Sequence, residues 1–219
     1  MDGDIDTVLF DLDGTLLDTA DDLAGALNAV LIRHDCEPVA IELLRAHVSK
    51  GAMALICLGF NLDADSEQAD QLWRELLEYY RQNLSTNTRL FAGMESILRL
   101  IENSGRRWGI VTNKPAFLTD PLLFDMALTS RVACVVSGDT LDRKKPWPDP
   151  LLHACDVIGT TADRSVYIGD DERDIESGRR AGMRTIAAAY GYIIPGDDPA
   201  GWGADAIINH PDDIRLWLE

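Results

Sequence analysis

The sequence predicts an α/β protein, with a doubly wound parallel sheet and a small α-helical cap domain inserted after the first strand. Short β-branched runs recur along the chain, helical patterns separate the later ones, and the stretch from Leu17 to about Leu84 shows only helix-like periodicity. The runs that predict buried strands are Thr7 to Phe10, Gly109 to Thr112, Val132 to Val136, Val166 to Ile168, Thr185 to Ala188 and Ala206 to Ile208.

Helical patterns between these strands complete the predicted core. They cover Met94 to Asn103, Leu118 to Ala127, Pro150 to Ile158 and Ile175 to Ala181. Strands that alternate with helices are typical of a Rossmann-like core, in which crossover helices connect parallel strands. We therefore assign residues 1–16 and 85–219 to this core.

Residues 17–84 are predicted to form the cap. The helical patterns in this block cover Asp21 to Leu31, Ile41 to His47, Ala52 to Leu58 and Glu67 to Tyr80. Because the block is too long for a simple crossover, we expect it over the carboxyl edge of the sheet, where ligands bind in open α/β folds. The polar segment from Asn83 to Thr88 is predicted to be the hinge that returns to the core.

Composition limits the classes of partner. The 219 residues include 37 Asp and Glu against 20 Lys and Arg, and the formal net charge of −17 argues against nucleic acid and anionic membranes as partners. The acidic start lacks a signal-peptide pattern, no apolar run is long enough for a bilayer, and the four cysteines form no CxxC pair. These features predict a cytoplasmic protein with reduced thiols, which we expect to be a monomer or a homodimer.

Paired carboxylates directly follow the first predicted strand. In an extended chain Asp11 and Asp13 share a face, while Leu12 between them points toward the core. Gly14 then lets the backbone bend and approach a ligand closely. An isolated Asp-Gly pair is usually a turn former, so a functional interpretation depends on the rest of the chain.

Further polar groups end predicted strands or lie in the loops after them. They are Thr112 with Asn113, Lys145 in a proline-stiffened segment, and the acidic run of Asp170, Asp171 and Asp174. Taken singly, each has an ordinary explanation as a turn, a solvated lysine or a helix cap. A parallel sheet, however, brings the carboxyl ends of its strands to one edge, so these groups are predicted to converge.

Together these residues supply what hydrolysis through an aspartyl phosphate needs. A carboxylate that attacks phosphorus is repelled by the phosphoryl oxygens, so the site needs Mg²⁺ on hard oxygen ligands, for which Asp11 and Asp170 are suited. Thr112, Lys145 and the backbone amides of the turn after Asp11 are suited to stabilise charge on the transferred group. Asp13 is suited to protonate the leaving group and later to deprotonate the attacking water.

With these residues in this order, the chain resembles the haloacid dehalogenase superfamily of phosphohydrolases. The matching motifs are the D-L-D-G-T segment that starts at Asp11, Thr112, Lys145 in its K-P-x-P context, and the G-D-x-x-x-D segment that ends at Asp174. The resemblance implies that Asp11 is phosphorylated and that Asp13 is the general acid and base. It also implies a small helical cap between the first two motifs.

The resemblance further implies how Mg²⁺ and a small phosphorylated substrate are held. The metal would be bound by the carboxylate of Asp11, the backbone carbonyl of Asp13 and the carboxylate of Asp170. Asp174 would support these ligands or bind the metal through water. Whether Asp171 or Asp174 contacts the metal directly is left open. We assign Gly14, Thr15 and Asn113 to substrate binding.

Two parts of the chain concern the leaving group. The segments from Val111 to Pro115 and from Lys144 to Pro146 resemble the phosphoglycolate phosphatase branch of the superfamily. The tail from Tyr190 to Pro195 is similar to N-acetylmuramic acid 6-phosphate phosphatases of peptidoglycan recycling. The resemblance thus implies N-acetylmuramic acid 6-phosphate as the substrate, with 2-phosphoglycolate as the alternative.

The specificity loop of the cap departs from its relatives. Where they tend to have Gly-x-Gly or Gly-Gly-Ala-Arg, this chain has the segment from Val48 to Met53. We assign Lys50 and Gly51 to substrate binding, with Lys50 in place of an arginine. The alternative for Lys50 is a solvated surface charge.

Other classes of protein fit the sequence less well. A receiver-type signalling domain uses similar residues, but in a different order and without a cap. A phosphonoacetaldehyde hydrolase resembles this chain with alanine at the position of Asp13, so Asp13 favours ester hydrolysis. A sugar-phosphate mutase would keep every catalytic residue and stays open, whereas a binding protein with an inactive site is disfavoured because no catalytic position is missing.

Overall fold

The computed structural model describes residues 5–218 and has a six-stranded parallel sheet at its centre. The strands of this sheet are β1 (Thr7–Phe10), β4 (Arg107–Val111), β5 (Val135–Val136), β6 (Ser165–Gly169), β7 (Arg184–Ala188) and β8 (Ala206–Ile208). Their order across the sheet is β5-β4-β1-β6-β7-β8. Phe10 at the end of β1 lies beside Ile110 of β4 and Ile168 of β6, so the carboxyl ends of the three central strands are level.

The helices belong to two groups. Those that follow the later strands are α5 (Met94–Asn103), α6 (Ala116–Asp125), α7 (Asp149–Ile158) and α8 (Glu172–Ala181). Those that come before them are α1 (Ala20–Arg33), α2 (Ile41–Arg45), α3 (Ala52–Phe60) and α4 (Glu67–Gln82). In this first group α1 packs against α2, α3 and α4, and α3 packs against α4.

Apolar side chains cover both faces of the sheet. Val8 and Phe10 of β1 belong to a large core that also includes the buried faces of α1, α4 and α5. Leu9, which points the other way, and Tyr167 of β6 belong to a second core with residues of α7. Strands buried on both faces are characteristic of doubly wound parallel sheets, and the predicted fold class is confirmed.

A short antiparallel ribbon corrects the sequence analysis. Strand β2 (Leu17–Asp18) pairs with β3 (Arg89–Leu90), and Leu17 lies opposite Leu90. The expectation of only helix-like structure from Leu17 was therefore wrong at its first two residues. A two-residue strand leaves no periodicity in the sequence, so neither half of the ribbon could be recognised.

Element boundaries differ from the predicted ones by a few residues. Strand β5 begins at Val135 rather than Val132. Helix α8 begins three residues before Ile175, because Asp171 is its N-cap and its side chain accepts a hydrogen bond from the backbone NH of Arg173. Helix α6 begins at Ala116, two residues before the predicted start.

The domain boundaries at 16/17 and 84/85 stay predictions. The ribbon bears on both, since β2 lies just inside the predicted cap and β3 just inside the predicted core. In the predicted hinge, the backbone NH groups of Asn87 and Thr88 donate to the carboxylate of Asp22 in α1. Residues 1–4 of the predicted core, and with them most of the acidic start, lie outside the described residues.

Across residues 5–218 we find no helix with the length and apolar character that a membrane span requires.

Candidate active site

The segment after β1 carries the paired carboxylates. The backbone NH of Asp11 donates to the carbonyl of Ile168 at 2.9 Å and so continues the pairing of β1 with β6. Asp11 and Asp13 both line a cavity of about 430 Å³. Leu12 between them is fully buried in the core, so the predicted alternation is present.

Gly14 and Thr15 lie behind another carboxylate, that of Asp170. Gly14 has a φ of +87°, and a Cβ at this position would lie 2.1 Å from Oδ2 of Asp170, so a side chain is excluded by both conformation and space. The Thr15 hydroxyl is fully buried and donates to Oδ1 of Asp170 at 3.0 Å. Neither residue is part of the cavity lining, and their assignment to substrate binding stays a prediction.

The loop after β4 contributes Thr112 and Asn113. Both line the cavity. The side chain of Asn113 also bridges to the backbone of Lys145, since its amide donates to the carbonyl at 3.2 Å and its oxygen accepts from the NH at 3.1 Å. Asn113 therefore fixes the segment that carries Lys145, while its contact with substrate remains untested.

Lys145 is a buried cation between two carboxylates. Its Nζ lies 2.8 Å from Oδ1 of Asp11 and 2.6 Å from Oδ1 of Asp174. The hydroxyl of Tyr167 accepts from the same ammonium at 2.9 Å and donates to the carbonyl of Val111. Burial alone would lower the pKa of Lys145, but the charges of Asp11 and Asp174 prevail and raise it to about 12.

Three buried carboxylates converge beside this lysine. Oxygens of Asp11, Asp170 and Asp174 all lie within 4.8 Å of one another. Burial raises the pKa of Asp11 to about 7 even though Lys145 opposes the rise. Burial, followed by the charges of Asp11 and Asp174, raises the pKa of Asp170 to about 8. The cluster thus carries more negative charge than one lysine compensates.

This cluster fits a hard divalent cation. Oδ1 of Asp11 is buried, and the ammonium of Lys145 that faces it at 2.8 Å is shared with Asp174, so one cation serves two buried carboxylates. Carboxylate oxygens are the ligands that Mg²⁺ prefers, and buried carboxylates that outnumber the nearby cations are costly unless a further cation approaches them. Asp11, Asp170 and Asp174 are therefore the residues that could hold the metal.

Asp171 pairs with two cations and does not join the three-carboxylate cluster. Its carboxylate pairs with Arg173 at 2.8 Å and with Lys50 at 2.8 Å. Burial would raise its pKa, but hydrogen bonds and charge from Arg173, together with Lys50, lower it to about 2. Asp174, and not Asp171, is the carboxylate that lies near Asp11 and Asp170, and the direct metal contact stays a prediction.

The loop around Ser49, predicted to belong to the cap, contacts the acidic cluster directly. The loop is a turn of 3₁₀ helix over Val48–Lys50, followed by Gly51 with a φ of +94°. The Ser49 hydroxyl donates to Oδ2 of Asp170 at 2.7 Å, and the guanidinium of Arg173 donates to the carbonyl of Ser49. Lys50 and Gly51 both line the cavity, as a substrate-binding role requires, and that role stays a prediction.

Asp13 is held by groups that differ from those around Asp11. The hydroxyl of Thr19 donates to its Oδ1 at 2.7 Å, and Nζ of Lys114 lies 2.9 Å from the same oxygen. Lys114 also donates to the hydroxyl of Tyr80 in α4 at 2.9 Å. The carboxylate of Asp13 is thus separate from the metal-ligand cluster and faces the cavity beside it.

The far wall of the cavity is largely apolar. Helix α4 contributes Asp70, Trp73, Leu77 and Tyr80, whose spacing of three or four residues places them on one face of the helix. Met53 of α3 adds to the same wall. The cavity therefore joins a charged end at the sheet to an apolar end at the helices.

Comparisons with known proteins identify the family. The model of the haloacid dehalogenase-like hydrolases matches residues 8–188, a span that includes Asp11, Thr112, Lys145 and Asp174. The chain belongs to the haloacid dehalogenase-like hydrolase family. The resemblance inferred from the sequence is confirmed.

Relatives of this hydrolase have two different names. It is 43% identical over 207 residues to the N-acetylmuramic acid 6-phosphate phosphatase of Pseudomonas aeruginosa, and the matched region covers 94% of this chain and 92% of that protein. It is 44% identical over 211 residues to a phosphoglycolate phosphatase of Xanthomonas campestris pv. campestris, with 96% and 94% covered. A crystal structure of a predicted phosphoglycolate phosphatase from Haemophilus somnus, 25% identical, superposes with a TM-score of 0.86 over 98% of both chains.

Several residues around the site of this hydrolase were not predicted to have a role there, although some lie in segments named above. They are Ser49, Tyr80, Lys114, Tyr167 and Tyr192, of which Tyr192 donates its backbone NH to Oδ2 of Asp170 at 2.8 Å. Lys114 directly follows the assigned Asn113, and its position after a strand could have drawn notice. The others reach the site through tertiary packing, which no local pattern records.

Proposed function

We propose that this hydrolase is a Mg²⁺-dependent phosphomonoesterase that acts through an aspartyl-phosphate intermediate on a small sugar phosphate, with N-acetylmuramic acid 6-phosphate as the first candidate. The observation that carries the proposal is that Asp11, Asp13, Thr112, Lys145 and Asp174, which come from four separate segments of the chain, line one cavity. The nucleophile, the acid–base and the charge-stabilising groups that phosphoryl transfer needs are thus next to one another.

The metal in this proposal is held by Asp11, Asp170 and Asp174. When bound there, Mg²⁺ would neutralise charge on the phosphoryl oxygens and on the attacking carboxylate. The proposal is supported by the convergence of three buried carboxylates beside a single lysine and by the raised pKa values of Asp11 and Asp170. Both features describe a cluster that a cation would stabilise.

The chemistry divides into two displacements at phosphorus. In the first, a carboxylate oxygen of Asp11 bonds to phosphorus, the bond from phosphorus to the leaving oxygen breaks, and Asp13 gives that oxygen a proton. In the second, water attacks phosphorus, its proton passes to Asp13, and the bond to Asp11 breaks. Inorganic phosphate and the free alcohol leave, Asp11 is again a carboxylate, and Asp13 is again the protonated acid with which the first displacement begins.

Two residues stabilise the charge on the transferred group in this mechanism. Lys145 supplies a fixed cation, since Tyr167 and Asp174 hold its ammonium in place. Thr112 supplies a hydroxyl at the end of β4, in the wall of the same cavity. Groups held in position before the reaction cost no reorganisation when charge develops.

The size and lining of the cavity favour a sugar phosphate. A volume of about 430 Å³ lies within the range of roughly 300–1,000 Å³ that is usual for sites that enclose drug-sized ligands. The apolar wall of Met53, Trp73 and Leu77 suits the face of a sugar ring and offers little to a two-carbon acid. The P. aeruginosa relative named for N-acetylmuramic acid 6-phosphate supports the same candidate.

A second candidate is 2-phosphoglycolate, in line with the name of the X. campestris relative. The observation that favours it is the pair of cations Lys50 and Arg173, which line the cavity and could approach a carboxylate. Both cations already pair with Asp171, so a substrate carboxylate would have to compete for them. We therefore rank 2-phosphoglycolate second.

The deciding experiment measures kcat/KM on N-acetylmuramic acid 6-phosphate and 2-phosphoglycolate, with Mg²⁺ and after chelation. We expect at least about tenfold preference for the sugar phosphate, or about 1.4 kcal/mol in the barrier, and loss of activity on chelation. The opposite preference would make the enzyme a phosphoglycolate phosphatase. Release of an isomeric sugar phosphate in place of inorganic phosphate would identify a mutase.

The cellular setting completes the proposal. We infer a cytoplasmic monomer or homodimer with a role in peptidoglycan recycling. The free state of the cysteines at positions 36, 57, 134 and 155 is compatible with a reducing compartment.

A further inference from the structure

Lys114 is a second buried lysine at the site, and the mechanism above gives it no role. Its side chain is only 5% exposed. Its Nζ lies 2.9 Å from Oδ1 and 3.3 Å from Oδ2 of Asp13. Because a buried ammonium is costly unless it is paired, Asp13 is the group that makes this lysine tolerable, and Lys114 in turn restrains Asp13.

Tyr80 approaches Lys114 from the opposite side. It is fully buried near the carboxyl end of α4, its hydroxyl accepts from Nζ of Lys114 at 2.9 Å, and its ring centroid lies 4.6 Å from that nitrogen. Burial raises the pKa of Tyr80 to about 12, so the group is a neutral phenol. Lys114 follows β4 of the sheet, whereas Tyr80 belongs to the helical group before it, and their contact joins the two.

The carboxylate of Asp13 is therefore fixed from two directions. Thr19, just before α1, donates to its Oδ1 at 2.7 Å, and Lys114 contacts both of its oxygens. Neither donor contacts Asp11 by hydrogen bond or ion pair, because the cation beside Asp11 is Lys145. Lys114 thus pairs with Asp13, whereas Lys145 pairs with Asp11 and Asp174.

We propose that Lys114 is a positioning residue for Asp13 and that Tyr80 completes this arrangement from α4, so that Asp13 is oriented for proton transfer only when α4 packs over the sheet. The inference rests on the proposed phosphatase function and extends it. Lys114 and Tyr80 neither gain nor lose a proton in this scheme; the proton moves between Asp13 and the leaving oxygen. The alternative is that Lys114 contacts the phosphoryl group as a second charge clamp, like Lys145.

The two roles of Lys114 differ in their dependence on the leaving group. An alkoxide, such as that of a sugar 6-phosphate, needs a proton as it departs, whereas p-nitrophenolate departs without one. A group that positions the acid therefore matters mainly for the alkyl ester, but a group that binds the phosphoryl oxygens matters equally for both esters. The ratio kcat/KM reports the first displacement, in which this difference lies.

The experiment compares Lys114→Met and Tyr80→Phe with the unaltered enzyme on N-acetylmuramic acid 6-phosphate and on p-nitrophenyl phosphate. For Lys114→Met we expect kcat/KM on the sugar ester to fall about 100-fold, the lower end of what general acid catalysis contributes, and to fall less than about tenfold on the aryl ester. Tyr80→Phe should show the same bias with a smaller loss, on the order of tenfold on the sugar ester.

The matched control is Tyr79→Phe. Tyr79 is the adjacent tyrosine of the same helix, is partly buried and does not line the active-site cavity, so its variant should keep both activities within about twofold. Circular dichroism and thermal unfolding establish that each variant is folded. If Lys114→Met does not fold, Lys114→Arg and the conservative Tyr80→Phe provide the comparison.

Equal losses on the two esters, or no loss on either, would overturn the positioning role of Lys114. These outcomes differ from failure of the proposed function, in which the unaltered enzyme itself hydrolyses neither ester. An unbiased loss in Tyr80→Phe, with the expected bias in Lys114→Met, would remove Tyr80 from the arrangement and refute the dependence on α4.

Discussion

The ammonium of Lys145 lies between two carboxylates, 2.8 Å from Oδ1 of Asp11 and 2.6 Å from Oδ1 of Asp174. Lys145 thus balances two carboxylates at once. Its position depends on Asn113, which bonds to its backbone, and on Tyr167, which bonds to its side chain. The cation that would stabilise a transferred phosphoryl group is therefore fixed before any substrate arrives.

Lys145→Met should abolish most of the activity. The substitution removes a preorganised positive charge, and loss of one such group typically costs about 10² to 10³ in rate. Measurement of kcat and KM with the sugar phosphate checks this, and we expect most of the loss in kcat. Arg143→Met is the matched control, because it removes a positive charge from an exposed neighbour that does not line the cavity; a comparable loss there would contradict the specific role of Lys145.

Asp11→Asn should lower the activity of the enzyme but raise the thermal stability of the metal-free protein. Without its nucleophile the enzyme should lose at least about 10³-fold in kcat, and no phosphate should be trapped on residue 11 in mass spectra. The metal-free variant should nevertheless unfold at a higher temperature than the unaltered protein, because one of three mutually repelling buried carboxylates is gone. Retention of near-full turnover would refute the assignment of Asp11.

Stability of the metal-free protein should depend on pH in a defined direction. The pKa values of Asp11 and Asp170 are raised from 3.8 to about 7 and about 8 in the fold, first by burial. A carboxyl group with a raised pKa stabilises the fold fully below its unfolded pKa, and this contribution is lost as pH rises through the folded value. We therefore expect the contribution of this cluster to the free energy of unfolding, and with it Tm, to fall between about pH 4 and about pH 8 and to level off above that.

Mg²⁺ should reverse that trend, because it binds the ionised carboxylates. Differential scanning fluorimetry should give a larger Mg²⁺-induced rise in Tm at about pH 9 than at about pH 6, since protons compete with the metal at the lower pH. Asp170→Asn should flatten both the pH dependence and the Mg²⁺ response. A rise in Tm that is the same at both pH values would exclude competition at these carboxylates.

The sheet was predictable because most of its strands are short apolar runs with a strong local signature. Val166 to Ile168 and Ala206 to Ile208 are β-branched segments beside turn residues, and both are strands. The ribbon of Leu17 with Leu90 was not predictable, since two residues that pair across more than seventy positions carry no local pattern. Contacts of that kind arise from the fold as a whole.

The site was predictable to the extent that its groups follow strands. Asp11 and Thr112 end adjacent strands, so the topology of a parallel sheet brings them together. The same reasoning could not identify Ser49 or Tyr80, which reach the sheet from helices whose placement depends on packing. The close approach of Gly14 to Asp170 was likewise not predictable, because it depends on how the two segments pack.

Trp73 should lower KM for the sugar phosphate and have little effect on KM for 2-phosphoglycolate. In Trp73→Ala the cavity loses the indole of its apolar wall, so we expect KM for N-acetylmuramic acid 6-phosphate to rise about tenfold, equivalent to about 1.4 kcal/mol, with a smaller change in kcat. Trp73→Phe should restore most of the affinity, since an aromatic face remains. The weaker activity on 2-phosphoglycolate should change less than about twofold, because a two-carbon acid bound at Lys145 does not extend to α4.

Trp202→Ala is the matched control for this selectivity. Trp202 lies in a short 3₁₀ helix that packs against α8 and does not line the cavity, so its loss should change neither KM. If Trp73→Ala weakens both substrates equally, the indole acts on the shape of the whole site and not on the sugar. If it weakens neither, the sugar ring lies elsewhere, and the apolar wall of α4 loses its place in the substrate assignment.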